Sequence, residues 1–131
     1  MAAFDWGQYL TLARSLAGAA DEASKRTAVS RAYYYVYHLA RARAELNGFR
    51  ALGGGVHRQL WRLYEETPVP ECKQLGVLGD RMKLRRERAD YQAVYPRLDE
   101  EVTDVLEQAR AFAENLARVD ARHPSPTGQR R

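Results

Sequence analysis

At 131 residues, with 45% hydrophobic and 29% charged side chains, the chain is long enough for one domain that hides about 70% of its unfolded surface; its formal charge of +4 admits nucleic acid as a partner without demanding it. A single cysteine, Cys72, excludes an internal disulfide and fits a reducing compartment. The opening MAAFDWGQYL has no export signal, and no apolar run approaches the roughly 20 residues of a membrane helix, so the expectation is a cytoplasmic protein with no membrane partner.

Asp5 is placed to cap a first helix, in which Trp6, Tyr9, Leu10, Ala13, Leu16, Ala17 and Ala20 form one apolar stripe over 6–20. The polar segment AADEASKRT reads as a fraying turn whose end leads into a central helix. That helix carries AVSRAYYYVYHLARARAE from position 28 and stops at Asn47-Gly48. Val29, Ala32, Val36, Leu39 and Leu46 recur at helical steps along one side, while Arg31, Tyr34, Tyr35, His38 and Arg41 fall on another. Adjacent tyrosines are costly in a helix, because each buried hydroxyl needs a partner. Tyr33 and Tyr37 are most simply core or dimer-interface packing. Tyr34 and Tyr35, with Arg31, offer planes on which a base can stack, or else bond to neighbouring helices.

FRALGGG (49–55) reads as a flexible linker; as a phosphate cradle it lacks a preceding strand and a following Lys-Ser/Thr. Val56, Leu60, Leu63 and Tyr64 mark a short third helix, broken firmly at Thr67-Pro68-Val69-Pro70. Pro70 opens a fourth helix with Cys72, Leu75, Leu78 and Met82 inside, and Gly76 and Gly79 suit the close approach of another helix.

RMKLRRERADYQ then brings five basic residues together. Arg81, Arg85 and Arg88 follow one another at steps of four and three, a solvated face with Glu87 and Asp90 as ion-pair partners. Arg86 turns instead toward Met82 and Ala89, where a guanidinium would hold a phosphate in two-pronged fashion. The last helix, about 97–121, is the cleanest: Leu98, Val102, Val105, Ala109, Phe112, Leu116 and Val119 alternate steps of four and three. The expected organisation is a bundle over 1–121 and a disordered tail over 122–131. His38, His57 and His123 lie too far apart to suggest a metal site, no serine stands in a nucleophile elbow, and no cofactor is expected.

FDWGQYLTLARSLAG, AVSRAYYYVYHLARA, VHRQLW and LRRERADY together resemble the small bacterial HEPN-domain proteins. Ser30-Arg31-Ala32-Tyr33-Tyr34 and Arg86-x-x-Ala89-Asp90-Tyr91 match that family's motifs in order and spacing, and the resemblance spans about residues 4–120. It implies an all-α, antiparallel bundle of four long helices plus a short one that pairs with itself or with a relative. Many HEPN proteins are metal-independent endoribonucleases of toxin–antitoxin and antiviral systems, in which arginine and histidine from two subunits share one cleft. The active pattern has a histidine four to six residues past the arginine; here the chain reads Glu87, Arg88, Ala89, Asp90, Tyr91, Gln92, Ala93. The expected catalytic set is therefore Arg86 on the phosphate with Asp90, Tyr91 or His38 assisting, His57 being the other histidine able to reach it. Arg31, Tyr34, Tyr35, Arg85 and Arg88 are the expected RNA contacts. The rival expectation is a catalytically inactive HEPN unit that dimerises or binds a protein such as a minimal nucleotidyltransferase or an antitoxin.

Overall fold

The computed structural model describes residues 2–126. Five helices follow one another: α1 (Gly7–Ala17), α2 (Glu22–Leu46), α3 (Val56–Glu66), α4 (Pro70–Tyr91) and α5 (Leu98–Arg118). No strand occurs among the described residues, so the molecule is the all-helical bundle that the periodicity predicts. α2 is its axis and packs on each of the other four helices. No helix among the described residues is long and apolar enough to cross a membrane.

α1 is shorter than its stripe suggests, ending at Ala17 with Gly18 at its C-terminal boundary. Asp5 does serve its start, accepting a hydrogen bond from the Gly7 amide at 2.8 Å. α2 begins at Glu22, so residues 19–21 of the polar stretch form the expected turn and the rest of it is the first part of the helix. Asp21 caps it through the Ser24 amide at 2.9 Å. Distant partners hold the same turn: Arg26 donates to the carbonyls of Ala89, in the last turn of α4, and of Gln92 and Ala93 just past it, and Lys25 reaches Asp99 at 2.7 Å.

The core runs along the inner face of α2. Tyr33 and Tyr37 are buried, as expected, beside Trp61, Tyr64 and Phe112. The Tyr64 hydroxyl donates to the Ala40 carbonyl at 2.8 Å, which satisfies its polar end. Gly76 and Gly79 let α4 lie directly on α3: a Cβ at Gly79 would sit 2.4 Å from the Trp61 ring, and one at Gly76 would sit 2.8 Å from the Glu65 amide.

The start of the tail departs from expectation. Pro124 and Ser125 are buried, because Arg43 donates to the carbonyls of Leu116, Val119, Asp120 and His123, and Asn47 to those of Ala121 and Pro124. Two side chains near the end of α2 thus fold the segment after α5 back onto the bundle. Residues 127–131 of the expected tail lie outside the described residues.

Candidate functional site

The two motifs that carry the resemblance pack against each other. Ser30 of α2 donates to Asp90 of α4 at 3.4 Å, and the same Asp90 oxygen lies 3.5 Å from Nη1 of Arg86. The Arg86 guanidinium carbon sits 5.7 Å from the centre of the Tyr33 ring and 5.5 Å from that of Tyr34. Both rings are close enough for their electron-rich faces to attract it. Tyr34 is shared with Arg31, whose guanidinium carbon lies 5.0 Å from its centre and 4.8 Å from that of Tyr9.

Arg86 is the anomaly of the cluster. It is only 9% exposed, yet Asp90 is its one hydrogen-bonding partner among the described residues, at a distance near the limit for such a bond. Its Nε is buried with no partner. A buried cation this poorly paired is destabilising unless something else completes its coordination.

His57, at the start of α3, comes closer to Arg86 than the favoured His38 does. Its ring stacks on Tyr37 at 4.1 Å between centres, and its Nδ1 is 2.6 Å from the Tyr33 hydroxyl. The Trp61 indole donates to that same hydroxyl at 3.1 Å. An indole N–H can only donate, so the Tyr33 oxygen accepts there and its own proton goes to Nδ1 of His57. The remaining His57 proton therefore sits on Nε2. Burial lowers the His57 pKa to about 4, with the positive charges of Arg86 and Lys83 adding to the effect and Glu87 opposing it. His57 is neutral at pH 7. A groove of about 720 Å³ runs past His57, Gly54, Gly55, Lys83, Arg86 and Glu87.

The other expected residues separate. His38 lies flat on Trp6, with ring centres 3.4 Å apart and planes 5° from parallel; burial, helped by Arg41 and Arg31, lowers its pKa. It packs at the α1–α2 contact, with the Tyr34 ring 6.2 Å away between centres. Tyr91, at the end of α4, is 79% exposed, in contrast to the buried Arg86. Arg85 donates to Gln108 at 2.9 Å and pairs with Glu101 at 3.4 Å, and Arg88 lies 3.8 Å from the same Glu101; both belong to the α5 side. Burial raises the Tyr35 pKa, with Arg14 opposing and Asp5 adding to the shift from the α1 side. Of the expected RNA contacts, only Arg31 and Tyr34 share a neighbourhood with Arg86.

His57 was visible in the sequence only as a histidine beside a glycine loop. Its link to Arg86 runs through Tyr33 and Trp61, a contact across three helices that no local spacing encodes. Comparison with family models, curated proteins and solved structures finds no match for the chain.

Proposed function

We propose that this protein binds RNA, or a nucleotide derived from it, as a HEPN-type bundle of a toxin–antitoxin or defence system, with Arg86 as the principal phosphate ligand. The observation that carries the reading is the poorly paired, buried Arg86 guanidinium at the junction of the two motifs. Phosphate oxygens supply the strong acceptors that Arg86 lacks, and Tyr34, held between two guanidinium groups, presents an aromatic plane nearby.

The same geometry favours binding over cleavage. In-line attack by a ribose 2′-hydroxyl needs a base to take its proton. The Nδ1 lone pair of His57 is taken by Tyr33, and its Nε2 already carries a proton. The Asp90 carboxylate is the remaining candidate acceptor beside Arg86, and its Oδ2 is engaged by both Ser30 and Arg86.

The test is single-stranded RNA titrated with protein in chelator over a range of salt. Binding is expected at low salt, with log K falling against log salt at a slope of about −2, the value for roughly three phosphate contacts on a single strand. Arg86→Met is expected to weaken binding at least tenfold, and the RNA is expected to stay intact. No binding at low salt overturns the proposal, and cleavage in chelator overturns its non-catalytic part.

A second reading, that the chain is an interaction unit pairing with another copy of itself, is favoured by one observation. Val77, Leu84 and Tyr91 are all exposed and stand seven residues apart on α4.

A further inference from the structure

We propose that the first turn of α3, the glycine loop before it and the Arg86 side chain form a seat for a single phosphate group, the ligand being identified as RNA on the strength of the reading above. α3 is entered through Gly55 at φ +78°, with no side-chain cap and no acidic residue in its first turn. The Gln59 amide is the first to find a carbonyl, that of Gly55 at 3.0 Å, so the amides of Val56, His57 and Arg58 have no acceptor within the helix. Elsewhere the positive end of a helix is answered by an acid: Asp5 just ahead of α1, Asp21 and Glu22 at α2, Glu71 at α4, and Asp99, Glu100 and Glu101 at α5. At α3 the answer is missing.

A bare helix start would mean little alone; what singles this one out is that Arg86 lines the same groove. The residue is 9% exposed, with an unpartnered Nε and only the weak bond from Nη1 to Asp90. Lys83 and Arg58 add positive charge to the lining. The carboxylate in the lining, Glu87, is held by Lys83 at 3.5 Å. The neutral His57, its Nδ1 occupied, has Nε2–H left to donate.

The loop is shaped for such a ligand. Gln59 turns its side-chain amide back on it, accepting from the Leu52 amide at 2.9 Å and donating to the carbonyls of Leu52 and Gly54 at 2.9 and 2.8 Å. The expected flexible linker is therefore pinned at Leu52 and Gly54. No heavy atom lies within 4 Å of where a Cβ would stand on Gly53, Gly54 or Gly55, so the space over the loop is open to an incoming group. Free amides at a helix start, a fork of guanidinium donors and a ring N–H suit the tetrahedral oxygens of phosphate.

The experiment follows backbone amides and the arginine Nε by 1H–15N spectroscopy during titration with inorganic phosphate. It then compares binding of 5′-phosphorylated and 5′-hydroxyl RNA oligomers. Phosphate is expected to shift the amides of Val56, His57 and Arg58 together with Arg86 Nε. The decisive variant is Arg58→Glu, at an exposed position in the first turn. An acid there complements the helix dipole, so the fold is kept or strengthened while an incoming anion is repelled. Arg58→Glu is expected to lower phosphate affinity at least tenfold with no fall in melting temperature. A preference for the 5′-phosphorylated oligomer assigns the seat to a strand end, and equal binding assigns it to a backbone phosphate. Phosphate that leaves those amides unmoved, or an Arg58→Glu variant that binds phosphate as before, overturns the seat even if RNA still binds elsewhere. Phosphate that shifts them while RNA fails to bind keeps the seat and sinks the RNA reading instead.

Discussion

His57 and His38 show how little a residue's type says about its role until its partners are known. In sequence, His38 is the stronger candidate, since it lies on the same helix side as Arg31 and Tyr34. In the fold that side divides, because Trp6 covers the His38 ring, while His57 meets the Tyr33 hydroxyl. Two outcomes follow from the relay of Trp61, Tyr33 and His57. Tyr33→Phe strands the buried Trp61 N–H and should cost about 1–3 kcal/mol in denaturant unfolding. It should also free His57 Nδ1, visible as a change in the tautomer signature of its ring nitrogens. The second outcome concerns pH. The His57 pKa falls from its ordinary 6.5 to about 4 on folding, so the unfolded chain binds the proton more readily. Its stabilising contribution is complete above pH 6.5 and is lost as pH falls toward 4; His38, shifted in the same direction, adds to the slope. Unfolding midpoints measured between pH 7.5 and 4.5 should decline, and His57→Gln should flatten part of that decline. An unchanged slope in the variant would show that His57 does not stay neutral in the folded protein over this range.

At the scale of elements, the helices written in apolar periodicity were legible and those held by charge were not. α5 reads directly from its four-three pattern, and the boundary at Pro68 and Pro70 separates α3 from α4 where backbone sterics require it. The first turn of α2 carries no apolar stripe. Its helix depends on the Asp21 cap and on two partners more than sixty residues away, the carbonyls at the end of α4 for Arg26 and Asp99 for Lys25. The clamp of Arg43 and Asn47 on the segment after α5 was illegible for the same reason. The glycines of α4 are the opposite case, since their spacing announced a close helix contact and Trp61 supplies it. Gly79→Ala gains up to about 1 kcal/mol of helix propensity. Against that stands a methyl group 2.4 Å from a buried indole, an overlap no side-chain rotation relieves. The net loss should be about 2 kcal/mol, or a melting temperature lower by roughly 10 °C. A variant as stable as the parent would mean that α3 and α4 are not so tightly apposed.

For the molecule as a whole, the question is what the outer face of α4 is for. Its inner face meets α2 and α3, and Arg86 belongs to that side, shielded from solvent within a single chain. Val77, Leu84 and Tyr91 occupy the outer face, 42%, 51% and 79% exposed, two turns apart and therefore in one stripe. By helical geometry Asp80 and Glu87 flank that stripe on one side, and Arg81 and Arg88 on the other. Two copies related by a twofold axis along α4 would bring the acidic flank of each against the basic flank of the other; an antiparallel pairing would set like charges together. The expected assembly is thus a parallel α4–α4 dimer, and sedimentation should return twice the chain mass at micromolar concentration. Leu84→Glu, at an exposed position, should give a folded monomer with an unchanged helical spectrum. Because Arg86 lies on the inner side of α4, the monomeric variant should keep its affinity for a short RNA, with the twofold gain in sites per particle lost. A parent protein that sediments as a monomer removes the self-pairing reading and returns the stripe to a partner of another sequence, while loss of RNA affinity on Leu84→Glu would mean that the binding site is built from both copies after all.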